Sequence, residues 1–142
     1  MKKFLLSGHL AIALVFINLA VFLAFFDFKN FFGLSIALAG LIIYFYNLRI
    51  MGKSWSIGIK AGKLVTEGFF KYIRHPLYLG CIIACIGLVV MTYNFRLLGL
   101  LLFADLPFIW FKSKKEEEFL IKNMKGYADY MKKTFMFIPK IL

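Results

Sequence analysis

Residues 74–90 read RHPLYLGCIIACIGLVV, and the reading of this stretch decides the fold. A cation, an imidazole, a proline and a tyrosine stand at the lip of a run that carries no charge. Pro76 disfavours helical geometry at His75 and suits the first turn of the helix that follows. The stretch therefore predicts an apolar helix over about 76–91, with Arg74 and His75 just outside its start. An arginine at such a margin ordinarily snorkels to lipid phosphate.

Working outward, three more apolar runs fall at about 4–26, 31–50 and 95–111. A hydrocarbon core of about 30 Å needs roughly 20 helical residues at 1.5 Å each. The runs at 76–91 and 95–111 are near the lower limit. The whole chain of 142 residues is 62% hydrophobic, and its mean hydropathy is +0.81. Ordinary soluble domains hold about 45–50% apolar residues. A soluble fold of this length could not hide so much apolar surface, so the bilayer is the expected solvent. The expected fold is all-α: one polytopic membrane domain over 1–142, with about four transmembrane helices and a C-terminal amphipathic helix. The first run follows Met1-Lys2-Lys3, as a signal peptide would. Its length and its lack of a small-residue cleavage site predict a retained helix instead.

The net charge is +11. The basic residues lie between apolar runs, a placement that reads as topology and argues against nucleic acid. With four spans, Lys2, Lys3, Arg49, Lys53, Lys60, Lys63, Lys71, Arg74 and every lysine from Lys112 onward share one side, and the other side has only Lys29 and Arg96. The bias places both termini in the cytoplasm. Two segments on that face carry the polar chemistry, 51–75 and 112–140. The first is broken by Gly52, Gly58, Gly62 and Gly68. The second, KSKKEEEFLIKNMKGYADYMKK, spaces Phe119, Leu120 and Met124 as one face of a helix at the membrane surface. If the third and fourth runs form an antiparallel hairpin, Arg74-His75 and Glu116-Glu117 come close in space.

Other polar groups have quieter readings. Cys81 and Cys85 have no ligand partners at metal spacing, so no metal is expected and they read as small residues facing a neighbouring helix. Asp105 lies inside the fourth run, two residues before Pro107. An intramembrane acid is a functional hypothesis by default; the alternative is a partner for Asn47, Arg49 or a backbone group freed near the proline. Asn18 and His9 read as interhelical hydrogen bonders.

The stretch LVTEGFFKYIRHPLYLG resembles the signature of the isoprenylcysteine carboxyl methyltransferase family and its phospholipid methyltransferase relatives. Leu64, Val65, Thr66, Gly68, Arg74, His75, Pro76, Tyr78 and Gly80 fall in register with it. EEEFL, ending at Leu120, resembles the family's paired glutamates, and GYADYMKKTFMFIP resembles its closing block. The resemblance covers about 50–140. It implies a small bundle of membrane helices that binds S-adenosyl-L-methionine at the cytosolic surface. Carried over residue by residue, it puts the cofactor against Lys63, Leu64, Val65, Phe70, His75, Pro76, Leu77, Tyr78 and Glu116. It puts the acceptor against Lys112 and Arg74. Glu116 suits the cofactor's ammonium, and Phe70 and Tyr78 suit apolar walls and cation–π contact.

There are departures from the family pattern. Phe70 stands where the family has tyrosine, Gly62 where it has histidine, and Lys112 where the prenylcysteine enzymes have arginine. Lysine keeps the charge and loses the bidentate fork. The Tyr127–Tyr130 block sits one residue closer to the glutamates than in the family form. The implied reaction is methyl transfer to a lipid-like or prenylated acceptor, a prenylcysteine carboxylate first and a lipid amine second. Positioning and exclusion of water carry such a displacement. No catalytic residue is assigned: His75 would serve as a base only for an acceptor that carries a proton. A membrane reductase and a lipid-binding scaffold are the rival classes.

Overall fold

The computed structural model describes residues 13, 16–24, 29–52 and 64–138. Among these the architecture is all-α, with no strand beyond one isolated bridge. Residues 16–24 are helical. The described elements are α1 (Phe31–Met51), a 3-10 turn (Gly68–Lys71), α2 (Pro76–Thr92), α3 (Phe95–Leu100), a π-helical turn (Leu101–Asp105), α4 (Leu106–Asn123) and α5 (Tyr127–Lys133). Lys63 and His9 lie outside the described residues.

Local chemistry sets the ends. Asn30 caps α1 by accepting the Gly33 N–H at 2.8 Å, and its amide donates to the Val90 carbonyl at 2.9 Å. One side chain thus starts α1 and ties it to the far end of α2. The Lys29 N–H donates to the Met91 carbonyl at 2.9 Å at the same corner. α2 begins at Pro76 and is closed by its C-cap Tyr93, whose φ of 49° is left-handed. Asn94 then caps α3 through the Arg96 N–H at 2.9 Å.

α1 and α2 pack antiparallel along a seam of small residues. A Cβ on Gly33 would stand 2.1 Å from the Met91 nitrogen, one on Gly87 2.2 Å from the Ala37 nitrogen, and one on Gly40 2.3 Å from the Ala84 nitrogen. The backbones are therefore in direct contact, as small-residue motifs allow between membrane helices. Cys81 and Cys85 are free thiols. The seam runs through Gly80, Ala84 and Gly87.

The fourth apolar run and the charged segment after it form one helical course from Phe95 to Asn123. The element boundary expected near Lys112 is absent. The interruption is instead the π turn, where the Leu106 N–H reaches back five residues to the Leu101 carbonyl. Pro107 explains it: with no N–H, and a ring that crowds the carbonyl four residues back, it favours a wider turn just upstream. The turn aims Asp105 at Asn18, whose Nδ2 lies 3.1 Å from each carboxylate oxygen. Asn18 is the side-chain partner of Asp105; Asn47 instead donates to its own helix, at the Ile43 carbonyl.

Among the described residues one helix, Phe31–Met51, is long and apolar enough to cross a membrane; Pro76–Thr92 is a shorter apolar helix. Many large apolar side chains face outward, among them Phe95 at 85% and Phe103 at 83% exposure. Exposed phenylalanines in such number suit lipid rather than water.

Candidate functional site

The site forms where the start of α2, the charged half of α4 and the C-terminal stretch 134–138 meet. Pro76 keeps His75 out of the helix, at φ −123° and ψ 58°. The backbone N–H groups of Arg74 and His75 therefore need partners outside α2. The C-terminal stretch supplies them: Arg74 N–H donates to the Phe135 carbonyl at 2.7 Å and His75 N–H to the Met136 carbonyl at 3.1 Å. The Phe135 N–H returns a bond to the Tyr72 carbonyl at 2.9 Å. Ile73 and Phe135 form a parallel bridge.

The side chains of Arg74 and His75 meet α4. Arg74 Nε donates to Glu117 Oε1 at 2.6 Å. Its Nη1 donates to the carbonyl of Thr134 and, at 3.3 Å, to that of Met131. Glu117 is 4% exposed. Burial alone would raise its carboxyl, but hydrogen bonds from His75 and Arg74 outweigh that and hold it below the ordinary carboxylate range.

His75 Nε2 lies 3.2 Å from Glu117 Oε1, and Nδ1 lies 3.7 Å from Glu116 Oε2. The imidazole stacks on Tyr78 with ring centres 5.5 Å apart and planes 15° apart. The Tyr78 hydroxyl donates to Glu116 Oε1 at 2.7 Å. Lys112, one turn before Glu116, brings Nζ to 4.0 Å from that same oxygen and 5.4 Å from the centre of the Tyr78 ring. Two cations, two carboxylates, an imidazole and a phenol are thus gathered at one end of the α1–α2 pair. The Lys29 backbone, which bonds to Met91, marks the opposite end.

An apolar groove of about 510 Å³ adjoins this cluster, lined in part by Leu79, Ile82, Leu102, Leu106, Trp110 and Phe137. Phe137 belongs to both regions, with its ring 5.9 Å from His75 and 6.5 Å from Trp110.

The structure brings Arg74-His75 together with Glu116-Glu117, as expected of a hairpin, and adds Tyr78 and Lys112 to the same cluster. Pro76 is fully buried at the start of α2, and Leu77 is half-buried beside it. Phe70 is buried in the 3-10 turn, where its carbonyl accepts the Tyr130 hydroxyl at 2.6 Å. Leu64 and Val65 are half-buried ahead of that turn. Burial pushes the Tyr130 phenol up to about 12 and raises Tyr127 as well, so both are neutral at physiological pH. Arg74, expected at the acceptor, is engaged by protein groups. Thr134 and Phe137 were not singled out from the sequence, and Glu117 was expected near Arg74-His75 but given no role in the site. The signal for Glu117 was its place beside Glu116: consecutive helical residues point about 100° apart, so one glutamate can face the ligand side while its neighbour faces Arg74.

A family model described as the isoprenylcysteine carboxyl methyltransferase (ICMT) family matches residues 31–122. The chain belongs to this family, and so to the membrane methyltransferases. Among curated proteins none matches the chain.

Proposed function

We propose that the protein transfers a methyl group from S-adenosyl-L-methionine to a lipid-borne acceptor at the cytosolic membrane face, a prenylcysteine-type carboxylate. The carrying observation is the convergence of Glu116 Oε2 and His75 Nδ1, 3.7 Å apart beside the Tyr78 ring. A carboxylate oxygen and a ring nitrogen at that spacing suit an ammonium, and an aromatic face suits a sulfonium or a purine. These acceptors and the aromatic face therefore fit the cofactor. Glu116, His75 and Tyr78 would hold it, with Lys63, Leu64, Val65, Phe70, Pro76 and Leu77 forming the remaining walls. The bound cofactor supplies an electrophilic methyl group on sulfur.

The chain's own task is orientation and exclusion of water. Lys112, 9% exposed at the side chain, offers a point charge to the acceptor carboxylate. The apolar groove beside Phe137 and Trp110 suits the acceptor's tail. A carboxylate nucleophile carries no proton at neutral pH, so no base is required of His75. The proposed topology has four spans with both termini cytoplasmic. Arg74 and Lys112 sit at one end of the bundle and Lys29 at the other, which supports the charge-bias reading.

The test is methyl transfer from radiolabelled cofactor in proteoliposomes holding either an S-farnesylcysteine or an aminophospholipid. A methyl ester releases its label as methanol in alkali; a methylated amine does not. Alkali-labile label on the farnesylcysteine is expected. Alkali-stable label on the aminophospholipid alone would sink the carboxylate reading and favour a lipid amine as acceptor.

A further inference from the structure

The two adjacent glutamates have different surroundings. Glu116 shares its carboxylate with Tyr78 and Lys112 and remains 18% exposed at the side chain. Glu117 is buried, and its Oε1 takes both the Arg74 Nε and the His75 Nε2. We propose that Glu117 and Arg74 are a positioning pair: they lock His75 as the Nε2–H tautomer and leave Nδ1 as a lone-pair acceptor on the ligand side.

Glu117 sets the tautomer. Its carboxylate accepts and cannot donate. Arg74 supplies one hydrogen bond at 2.6 Å, and the ring nitrogen at 3.2 Å must supply the other, so Nε2 carries the hydrogen. In a neutral imidazole, Nδ1 is then the acceptor. It faces Glu116 Oε2 at 3.7 Å, too far for a hydrogen bond and wide enough for an N–H donor to bridge the two. Tyr78 fixes the ring plane from one face, and Phe137 borders it.

Arg74 makes the lock depend on the C-terminal stretch. Its Nη1 holds the carbonyls of Met131 and Thr134, just before the residues whose carbonyls take the Arg74 and His75 backbone N–H groups. Ring tautomer, α4 and the C-terminal stretch are thus set by one buried ion pair. Breaking such a pair is costly because it strands a buried charge.

The test reads the ring itself and does not depend on the methyltransferase reading. The chain has two histidines, so His9→Gln leaves His75 as the only imidazole. Long-range ¹⁵N–¹H correlation in detergent, at a pH where the ring is neutral, assigns the tautomer. The Nε2–H form is expected. The Nδ1–H form, or an even mixture, overturns the proposal whatever any variant does. Glu117→Gln keeps the volume and an acceptor while removing the charge. It is expected to retain Nε2–H with its proton shifted upfield, because a charge-assisted bond has become a neutral one. An unmoved Nε2 proton means that Glu117 is not the partner and also overturns the proposal. Arg74→Lys, which keeps the charge and loses the fork, is expected to broaden the ring signals. Signals that stay sharp and unmoved remove Arg74 from the pair.

Discussion

At the scale of single residues, the proposed cofactor site depends on a division between Glu116 and Glu117. Glu116→Ala removes the charged partner for a bound ammonium, a contact worth about 1.5–3 kcal/mol. Affinity for S-adenosylhomocysteine is expected to fall roughly 10- to 100-fold, read by calorimetry. Glu117 instead bears on stability. Its carboxyl is held below its ordinary value of 4.5. A group depressed in the folded state contributes stability above its unfolded value and loses it as pH falls through the folded one. Thermal midpoints in detergent are expected to drop on the acid side of 4.5 for the wild type. The drop should be shallower for Glu117→Gln. Parallel acid slopes in the two proteins would contradict this. Lys112→Arg restores the family's fork, and KM for an S-farnesylcysteine is expected to fall; an unchanged KM would take Lys112 away from the acceptor carboxylate.

At the scale of elements, the sequence carried the helix ends well where a residue type enforces them. The apolar runs at 31–50 and 76–91 became Phe31–Met51 and Pro76–Thr92, because Asn30 and Pro76 are unambiguous starts. It misled at Lys112. There hydropathy changes abruptly while helical geometry continues, and a reading keyed to polarity split one course into a span and a surface helix. The π turn, set by Pro107, was not legible as such. The glycine seam was also obscured, since only the partner helix shows which face of an apolar run makes the close contact. That seam gives a sharp prediction. Gly40→Ala puts a methyl 2.3 Å from the Ala84 nitrogen, and backbone cannot yield as a side chain would. A loss of about 1–3 kcal/mol is expected, seen as a lower unfolding midpoint. Gly99→Ala, with open space around it, is the control and should not lower it.

At the scale of the whole molecule, motif spacing and topology together foretold the meeting of Arg74-His75 with Glu116-Glu117. A hairpin and a shared face suffice for that meeting. The Asn18–Asp105 link was not legible, since pairing across 87 residues depends on tertiary placement that no local pattern encodes. The role of 134–138 was equally hidden, because its contribution is backbone carbonyls that any sequence would supply. The proposed topology is testable in a background with Cys81 and Cys85 replaced by serine. Single cysteines at Lys29 and Lys122 should react with membrane-impermeant maleimide from opposite sides. Labelling from the same side would remove the proposed four-span arrangement. The central claim is that Glu116 and its neighbours form a cofactor site. Its most direct measurement is calorimetric titration of the solubilised protein with S-adenosylhomocysteine, alongside Glu116→Ala. Saturable binding that the substitution weakens at least tenfold is the predicted result. A folded wild-type protein that takes up no heat-detectable ligand, or a variant that binds as tightly as the wild type, would contradict it.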